Sequence, residues 1–287
     1  MSDPSLSLFA QCRQIWQICF GDSETFIDLY FSRRAKETNT FVSLASDGAV
    51  ASQGQCFLYE MSGGSLRDGE GNVVYESKST LWGYVSGIAT LPKYRGQGHA
   101  ARVMRQIHDY MRQKQVDYAF LIPADDYAAG WYANHFSYTL THNLLRPIAS
   151  PLAPNQLEKV DIHDATAREQ ALRAMADNLH QRSFTLQHTA ADLLDAWEVC
   201  LMSGGGLYRQ SQPQYSEYLL MEPQRKGLMI QERFRTPTAQ PAGARYDHLN
   251  NGDKVDILSF QSTPVLTLPM CTGEPAPQNA HFSLLLD

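Results

Sequence analysis

The sequence predicts an α/β (α+β) protein, in which a first unit of mixed helices and strands is followed by a second, smaller α+β unit. Three observations support this fold class. Helical and strand periodicities alternate along the first half of the chain, and near residues 84–100 a buried strand passes through a glycine-rich turn into a helix. A proline-rich stretch at residues 146–155 then indicates a boundary. With 287 residues, the chain has room for one large domain or two.

The composition is that of a soluble globular protein, with 43% hydrophobic and 19% charged residues. The net charge of −6 provides no basic surface for nucleic acid, and no run of about 18 apolar residues is present for a membrane span. The N-terminus lacks the basic region and apolar core of a secretory signal. Five scattered cysteines form no C-x-x-C pair, which favours reduced thiols over a disulfide framework or a zinc site. We therefore expect a cytoplasmic protein with no nucleic-acid, membrane or metal partner.

Hydrophobic spacing and capping residues place the elements of the first half. An apolar stripe with helical spacing covers residues 7–19, and Asp22 or Ser23 is expected to cap a second helix. Asp47-Gly48 is a strong hairpin signal, and a polar excursion at residues 62–79 is expected to hold a small ribbon. Strands are expected at residues 40–46, 49–61, 81–91, 118–124 and 138–145, and helices after residue 100 and at residues 127–135.

The second half shows the same kinds of signal without a tandem repeat. Gly204-Gly205-Gly206 has no helix after it, so a turn is expected there and not a phosphate site. Residues 236–253 are rich in Pro, Gly, Ala and Asn, which predicts a mobile loop. Helices are expected at residues 165–178 and from Thr189 or Asp192 to Cys200, and strands at residues 183–188, 207–210, 227–233 and 255–260.

Residues 84–100 have the features of an anion site. Residues 85–91 are apolar or small enough for a buried strand, which Pro92 ends because proline cannot donate to the ladder. Gly96 and Gly98 let the backbone approach a phosphate without a Cβ in the way. The N–H groups of the turn and of the first helical turn are expected to point at one spot, where the helix dipole adds positive potential.

Two kinds of nucleotide loop have this general form. The Rossmann fingerprint, G-x-G-x-x-G/A, is satisfied in spelling by Gly96, Gly98 and Ala101. That fingerprint requires the first glycine to close the strand directly and an acid at the end of the next strand. Here four residues intervene after the strand, and Asp117 precedes the next apolar run instead of following it. The second kind of loop fits better.

The stretch I-A-T-L-P-x-x-R-G-x-G-x-A resembles the [Q/R]-x-x-G-x-[G/A] signature of the GCN5-related N-acetyltransferase (GNAT) superfamily, with Arg95, Gly98 and Ala100 at the defining positions. The resemblance covers about residues 5–147 and implies a mixed, mostly antiparallel sheet flanked by helices. It also implies that the strand ending at Thr90 splays from its neighbour, pairs with the pantetheine arm of acetyl-CoA and leads to a loop that holds the pyrophosphate. The cofactor-binding residues implied are Ile88, Ala89, Thr90, Arg95, Gly96, Gln97, Gly98, His99 and Ala100.

L-I-P-A followed by a W-Y-A helix resembles the subgroup of the enhanced-intracellular-survival (Eis) acetyltransferases, in which a second region follows the catalytic domain. This resemblance implies a catalytic domain at residues 1–147, a linker at residues 148–155 and an accessory domain at residues 156–287. The accessory domain is expected to be α+β, with a degenerate acetyltransferase-like half as one form it could take.

The resemblance also implies an acid that protonates the leaving thiolate, and Tyr132 matches that position best. Ser137-Tyr138 stands one residue further on than the family pattern expects, and a purely structural aromatic at 132 is the alternative. The general base is less defined, because strand 81–91 contains no acid or histidine. Glu60 at a strand end is one candidate for a water-mediated base, although an ordinary exposed strand-end carboxylate is the more typical interpretation of that position. His99 is expected to face solvent or phosphate.

A further base is implied by the Eis-like subgroup, whose C-terminal carboxylate reaches the catalytic site. The chain ends H-F-S-L-L-L-D, an apolar segment with a terminal charge, whereas free tails are usually polar. The hypothesis is that the tail docks on the catalytic domain and presents the Asp287 carboxylate. The alternative is that the apolar residues only complete the sheet of the second unit.

Together these features predict an acetyl-CoA-dependent N-acetyltransferase that moves an acetyl group to a primary amine by direct attack in a ternary complex. The amine belongs to a small molecule or peptide, in a pocket expected from residues 20–40, residues 62–80 and the C-terminal half. A homo-oligomer is left open. One alternative is a non-catalytic acyl-CoA-binding regulatory module, because the strand acid is missing. The other is an NAD-dependent oxidoreductase with the Rossmann form of the loop.

Overall fold

A computed structural model describes residues 6–67, 70–149, 157–211, 215–225, 227–237, 257–271 and 276 of the chain. The α-helices are α1 (Leu8–Cys19), α2 (Glu24–Leu29), α3 (His99–Gln113), α4 (Asp126–Phe136), α5 (Ala165–His180) and α6 (Ala190–Met202). A π-helical turn, Tyr30–Arg34, continues α2, and a 3₁₀ turn, Pro92–Tyr94, follows β5. The strands of the first half are β1 (Thr40–Leu44), β2 (Val50–Met61), β3 (Gly64–Arg67), β4 (Val73–Ser77), β5 (Thr80–Thr90), β6 (Tyr118–Leu121) and β7 (Thr139–Ala149). Those of the second half are β8 (Glu158–Lys159), β9 (Gly206–Ser211), β10 (Tyr215–Gln224), β11 (Gly227–Pro237) and β12 (Ile257–Pro269).

Ten strands form one sheet in the order β1-β2-β5-β6-β12-β7-β11-β10-β9-β8, and β3 and β4 form a separate ribbon. Among the strands that the structure describes, β5 and β6 are the one parallel pair, and every other pair is antiparallel. The predicted fold class, a mixed and mostly antiparallel sheet flanked by helices, is therefore confirmed. Parallel pairing of β5 and β6 follows from the crossover helix α3 between them.

β12 connects the two halves of the chain, because it pairs with β6 on one side and β7 on the other. The sequence predicted a strand only at residues 255–260, and the structure continues the strand to Pro269. Polar residues and Pro264 interrupt the apolar pattern of this segment, which explains why its length was underestimated. A strand from the second half thus lies inside the sheet of the first half.

The predicted linker overlaps the sheet. Residues 148 and 149 belong to β7 and pair with β11 and β12, whereas residues 150–156 lie outside the described residues. The division into domains at residues 148–155 stays a prediction. Similarly, residues 236 and 237 of the predicted loop end β11, and the remainder of that loop lies outside the described residues.

In the second half one predicted strand is wrong and one strand was missed. Residues 183–188 form no strand, and Leu186 forms an isolated bridge with Met61 at the end of β2. β10 was not predicted, because glutamates, a glutamine and a proline mask its apolar residues. It lies between β9 and β11, where it pairs on both sides.

Helices cover both faces of the first half of the sheet. α1 packs against β2 and β5 on one face, where Trp16 and Tyr30 join a core with Trp82, Tyr84 and Phe120. On the other face α3 packs against β1, β2 and β5, and partly buried residues of α4 join the same cluster. α5 and α6 pack on β9, β10 and β11 of the second half. The loop between β5 and α3 lies at one end of this framework.

Candidate active site

The loop between β5 and α3 presents uncapped backbone amides to solvent. Gly96 and Gly98 adopt φ angles of 75° and 77°, in the left-handed region that glycine populates without steric cost. Gly98 precedes α3 and provides no side-chain cap for its first turn, which also carries no acidic residue. A Cβ at Gly96 would meet nothing within 4 Å, so the space beside the loop is open. The exposed N–H groups and the helix dipole therefore make an anion site at this turn.

Arginine side chains brace the loop from behind. Arg102 donates to the backbone oxygen of Gln97 at 3.2 Å and to the hydroxyl of Ser43 at 3.1 Å. Arg95 folds back and donates from Nε to the backbone oxygen of Thr90 at 3.2 Å, where β5 ends. The side chain of Arg95 thus contacts the end of the strand. The backbone N–H of Arg95 donates to the oxygen of Pro92 at 3.3 Å, so the loop amides available to an anion are those that follow Arg95.

The side chain of His99 is buried, contrary to the expectation that it faces solvent or phosphate. It is only 5% exposed, and its Nδ1 lies 2.9 Å from both Ser43 Oγ and Arg102. A guanidinium can only donate, so Nδ1 accepts from Arg102. Burial first, and the charge of Arg102 second, lower the pKa of His99 and favour the neutral ring. His99 therefore fixes α3 to β1, and only its backbone amide remains for an anion.

β5 separates from β6 as the resemblance implied. The two strands pair only from Trp82, opposite Tyr118, to Tyr84, opposite Phe120. β5 continues to Thr90, and beyond Tyr84 its edge toward β6 has no strand partner in the described part of the chain. The unpaired edge carries Ile88, Ala89 and Thr90 and leads directly to the glycine loop.

A β-bulge lies in this unpaired part of β5. Gln53 and Gln55 of β2 pair with Ala89 and Ser86, so two residues of β5 oppose the single residue between them. Gly87 adopts a φ of 63° there. A bulge leaves an extra backbone amide outside the ladder, and such bulges are common at active sites. This bulge was not predicted from the sequence, although an isolated glycine in a strand pattern is the usual signal of a bulge.

Buried polar side chains surround the bulge on the α1 face. The hydroxyl of Tyr30 lies 3.2 Å from Ser86 Oγ and 3.4 Å from Gln55 Oε1, and Gln55 donates to Gln53 Oε1 at 3.3 Å. The side-chain amide nitrogen of Gln53 is buried without a hydrogen-bond partner. Buried polar groups are costly unless they are paired, so this cluster is a feature of the site and not of ordinary core packing.

Tyr132 lies on α4, on the same face of the sheet as α3. Its ring contacts Trp131 and Tyr138, at centroid distances of 5.1 and 5.9 Å. Its hydroxyl makes no hydrogen bond with any residue that the structure describes, and burial raises its pKa. Tyr138 differs, because its hydroxyl shares a 3.2 Å hydrogen bond with His108 Nε2 in the core. Of these two tyrosines, Tyr132 has the hydroxyl that a ligand can use.

Two polar residues of the α4 region and the remaining candidates for the base are placed as follows. Asp125 caps α4 by accepting from Ala128 N at 2.7 Å, and His135 bonds to the backbone oxygen of Trp131, so both have structural roles. Glu60 is exposed near the end of β2. Asp287 lies outside the described residues. Ala276 is buried in the core of the α1 face together with Trp82 and Tyr84, eleven positions before the end of the chain.

A cleft of about 1010 Å³ lies between the two halves of the chain. Its walls come from the π-helical turn, the middle of β2, the end of α5 and the start of α6. Arg33 contacts Asp195 at 3.0 Å, and Arg34 pairs with Asp192 and the hydroxyl of Tyr59, so ion pairs join the halves beside the cleft. Of the three segments expected to build an amine pocket, residues 20–40 and the second half line this cleft, whereas no described residue of segment 62–80 does.

The described residues contain neither a metal-binding cluster nor a membrane-spanning helix. Among the described residues, no group of three or more His, Cys, Asp or Glu side chains has the arrangement of a metal site. Within the same residues, no helix combines the length and the apolar character that crossing a membrane requires.

Comparison with known proteins gives a family match in the first half of the chain. Residues 4–138 match the acetyltransferase (GNAT) domain family. No curated protein sequence matches the chain.

Solved structures share the fold at low sequence identity. A probable N-acyltransferase from Enterococcus faecalis has 11% identity and a TM-score of 0.58, over 92% of this chain and 70% of that one. A GCN5-related N-acetyltransferase from Kribbella flavida has 12% identity and a TM-score of 0.56, over 93% and 71%. Eis1 from Mycobacterium abscessus has 10% identity and a TM-score of 0.56, over 92% and 71%. The likeness concerns the fold alone and extends past the family domain into the second half of the chain.

Proposed function

Because residues 4–138 are an acetyltransferase domain of the GNAT superfamily, we propose that this protein transfers the acetyl group of acetyl-CoA to a primary amine. The observation that carries the proposal is the junction of two features, an uncapped α3 N-terminus behind Gly96 and Gly98 and an unpaired edge of β5 leading to it. The N-acetyltransferase name of the Kribbella relative adds support for an amine acceptor.

The chain has suitable groups for each part of acetyl-CoA. The amides from Gly96 to Ala100 bind the diphosphate, because glycine at 96 and 98 leaves the backbone accessible. The free edge of β5 at Ile88, Ala89 and Thr90 offers alternating N–H and C=O groups to the amides of the pantetheine arm. Acetyl-CoA supplies the activated acetyl group as a thioester.

Transfer requires polarisation of a carbonyl and protonation of a leaving thiolate. The extra amide of the bulge at Gly87 is a donor held in place by the sheet, which suits it to bind a carbonyl oxygen. The hydroxyl of Tyr132 is the proton donor in this proposal. Its raised pKa keeps the phenol protonated at neutral pH, as an acid must be before it acts.

The base is assigned to the Asp287 carboxylate. Ala276 is buried in the α1-face core, which also contains Trp82 and Tyr84, and it lies eleven positions before Asp287. This burial supports the assignment. Deletion of the last three residues should abolish transfer while acetyl-CoA still binds. Unchanged turnover in the folded truncated protein would refute the assignment and leave Glu60 as the next candidate.

The experiment that tests the function is release of CoA thiol from acetyl-CoA in the presence of polyamines, aminoglycosides or lysine peptides. Amine-dependent release is the expected result. Acetyl-CoA binding without release by any of these amines would favour a regulatory acyl-CoA-binding module. Stabilisation of the fold by NADH and not by CoA in a thermal-shift assay would favour an oxidoreductase.

A further inference from the structure

The edge of β2 is paired at both ends and unpaired in the middle. β1 pairs with β2 as far as Gln55, and the N–H of Cys56 then donates to the oxygen of Asn39 at 2.9 Å. At the other end the oxygen of Glu60 accepts from the N–H of Gln187 at 2.8 Å. In a strand, backbone groups of alternate residues point to the same side, so Leu58 faces this edge together with Cys56 and Glu60.

The N–H and C=O groups of Leu58 have no hydrogen-bond partner among the described residues. Unpaired groups on a strand edge are a template for a further strand, and proteins usually cover or block them. No strand of the described part of the chain covers this edge, no proline interrupts it, and Leu58 is only half-buried. The opening between β1 and residues 185–187 is therefore a gap of a few residues in an otherwise paired edge.

This gap opens into the cleft between the two halves. Residues 56–60 of β2 form one wall, and His180 of α5 and the start of α6 at Ala190 lie among the other walls. A volume of about 1010 Å³ accommodates several residues of extended chain. Phe57, Tyr59 and Tyr110 add aromatic surface for the side chains of a ligand.

Among the described residues that line the cleft, Glu60 carries a carboxylate that is in no ion pair, and Lys36 carries an ammonium that is in no ion pair. Asp192 and Asp195 are neutralised by Arg34 and Arg33, whereas exposed Glu60 takes part in no ion pair with a described residue. A cationic group entering the cleft therefore finds a carboxylate that no arginine has already neutralised.

We propose that an extended peptide binds in this cleft by adding a short strand to β2, with its backbone hydrogen-bonded to Leu58 and a lysine or terminal amine near Glu60. A peptide backbone alternates N–H and C=O at the spacing of the strand edge, which polyamines do not. The acceptor class would then be a peptide or protein amine, a conclusion that rests on the proposed acetyl transfer, although binding itself does not.

The cleft lies close to the gap between β5 and β6. Phe57 is paired with Tyr84, and Tyr84 with Phe120, which is the last pair before those strands separate. The three rings follow one another at centroid distances of 6.3 and 5.0 Å. At the usual strand spacing β2 lies about 10 Å from β6, so the cleft and the gap belong to neighbouring strands of one sheet.

The test measures binding of a fluorescein-labelled hexapeptide amide of alternating lysine and valine, by fluorescence anisotropy. The matched peptide carries N-methyl groups on its internal amides and cannot donate to a strand edge. Leu58→Pro removes the N–H of the edge, and Leu58→Ala retains it. We expect the methylated peptide and the Leu58→Pro protein each to bind about tenfold more weakly, and Leu58→Ala to bind like the wild type.

Equal affinity of the two peptides, or no binding of the parent peptide, would overturn the proposal. If Leu58→Pro does not fold, the methylated peptide tests the same hydrogen bonds on the unchanged protein. Thiol release with spermidine and with the peptide separates the two proposals. Thiol release with spermidine but no peptide binding rejects only the proposed binding of a peptide to the edge of β2. Peptide binding without thiol release by any amine rejects only the proposed acetyl transfer.

Discussion

The indole ring of Trp16 covers Gly87 so closely that a β-carbon at position 87 would lie 2.4 Å from it. The same β-carbon would also lie 2.4 Å from Gln55 Oε1, and the φ of Gly87 is 63°. The bulge of β5 thus depends on glycine for two independent reasons, the backbone conformation and the space taken by its neighbours.

Gly87→Ala should therefore destabilise the fold by more than about 2 kcal/mol and abolish acetyl transfer, because the bulge must shift. Gly130→Ala is the matched control, since a Cβ there meets nothing and the helix α4 gains from alanine. Urea unfolding and thiol release measure the two effects. A Gly87→Ala protein with wild-type stability and turnover would show that the bulge has no role.

The glycine loop gives a second prediction. Gly98 has a φ of 77°. A Cβ added at this position would have Arg102 as its nearest neighbour, at an ordinary contact distance of 3.6 Å. Gly98→Ala therefore adds mainly backbone strain and a methyl group beside the amides. We expect the acetyl-CoA dissociation constant to rise about tenfold. Gly204→Ala has the same kind of strain, at a φ of 80° and with its nearest neighbour also 3.6 Å from a new Cβ, in the turn after α6 of the second half, and should bind acetyl-CoA normally. Equal effects of both variants would indicate general destabilisation.

Tyr132→Phe should lower kcat about a hundredfold and leave the KM for acetyl-CoA nearly unchanged, because only the proton donor is removed. Tyr138→Phe is the contrasting variant, since its hydroxyl is bonded to His108 in the core. That variant should lose about 1 kcal/mol of stability and keep its turnover. Steady-state kinetics that show unchanged kcat for Tyr132→Phe would reduce Tyr132 to a core aromatic.

His108 gives a prediction on pH. Burial first, and the charge of Arg112 second, lower its pKa from 6.5 to about 4, so the fold favours the neutral ring. The unfolded chain binds the proton more readily, and the contribution of His108 is full above pH 6.5 and lost as the pH falls toward 4. Between pH of about 7.5 and about 5 the free energy of unfolding should fall by about 2 kcal/mol from this residue.

His108→Gln removes the titrating ring and keeps a polar partner for Tyr138. Its free energy of unfolding should therefore depend less on pH than that of the wild type. Identical pH dependence of the two proteins, from urea titrations at both pH values, would show that His108 is not the residue responsible.

Local patterns in the sequence were sufficient for the core of the candidate site. The strand before Pro92, the turn at Gly96 and Gly98, and the helix after it depend on neighbouring residues, and the structure has all three. The burial of His99 was not predictable, because its partner Ser43 lies on β1, far away in sequence. Likewise, β12 joins the sheet between β6 and β7 through pairings that no local pattern encodes. The cleft arises from contacts between the two halves, such as Arg34 with Asp192, and was expected only in outline.

Titration calorimetry of the intact protein with acetyl-CoA, and separately with NADH, tests the central claim most directly. The claim is that the amides from Gly96 to Ala100 and the free edge of β5 together hold acetyl-CoA. It predicts one acetyl-CoA site per chain, weakened by Gly98→Ala but not by Gly204→Ala, and no NADH binding. Absence of acetyl-CoA binding, or NADH binding in its place, would contradict it.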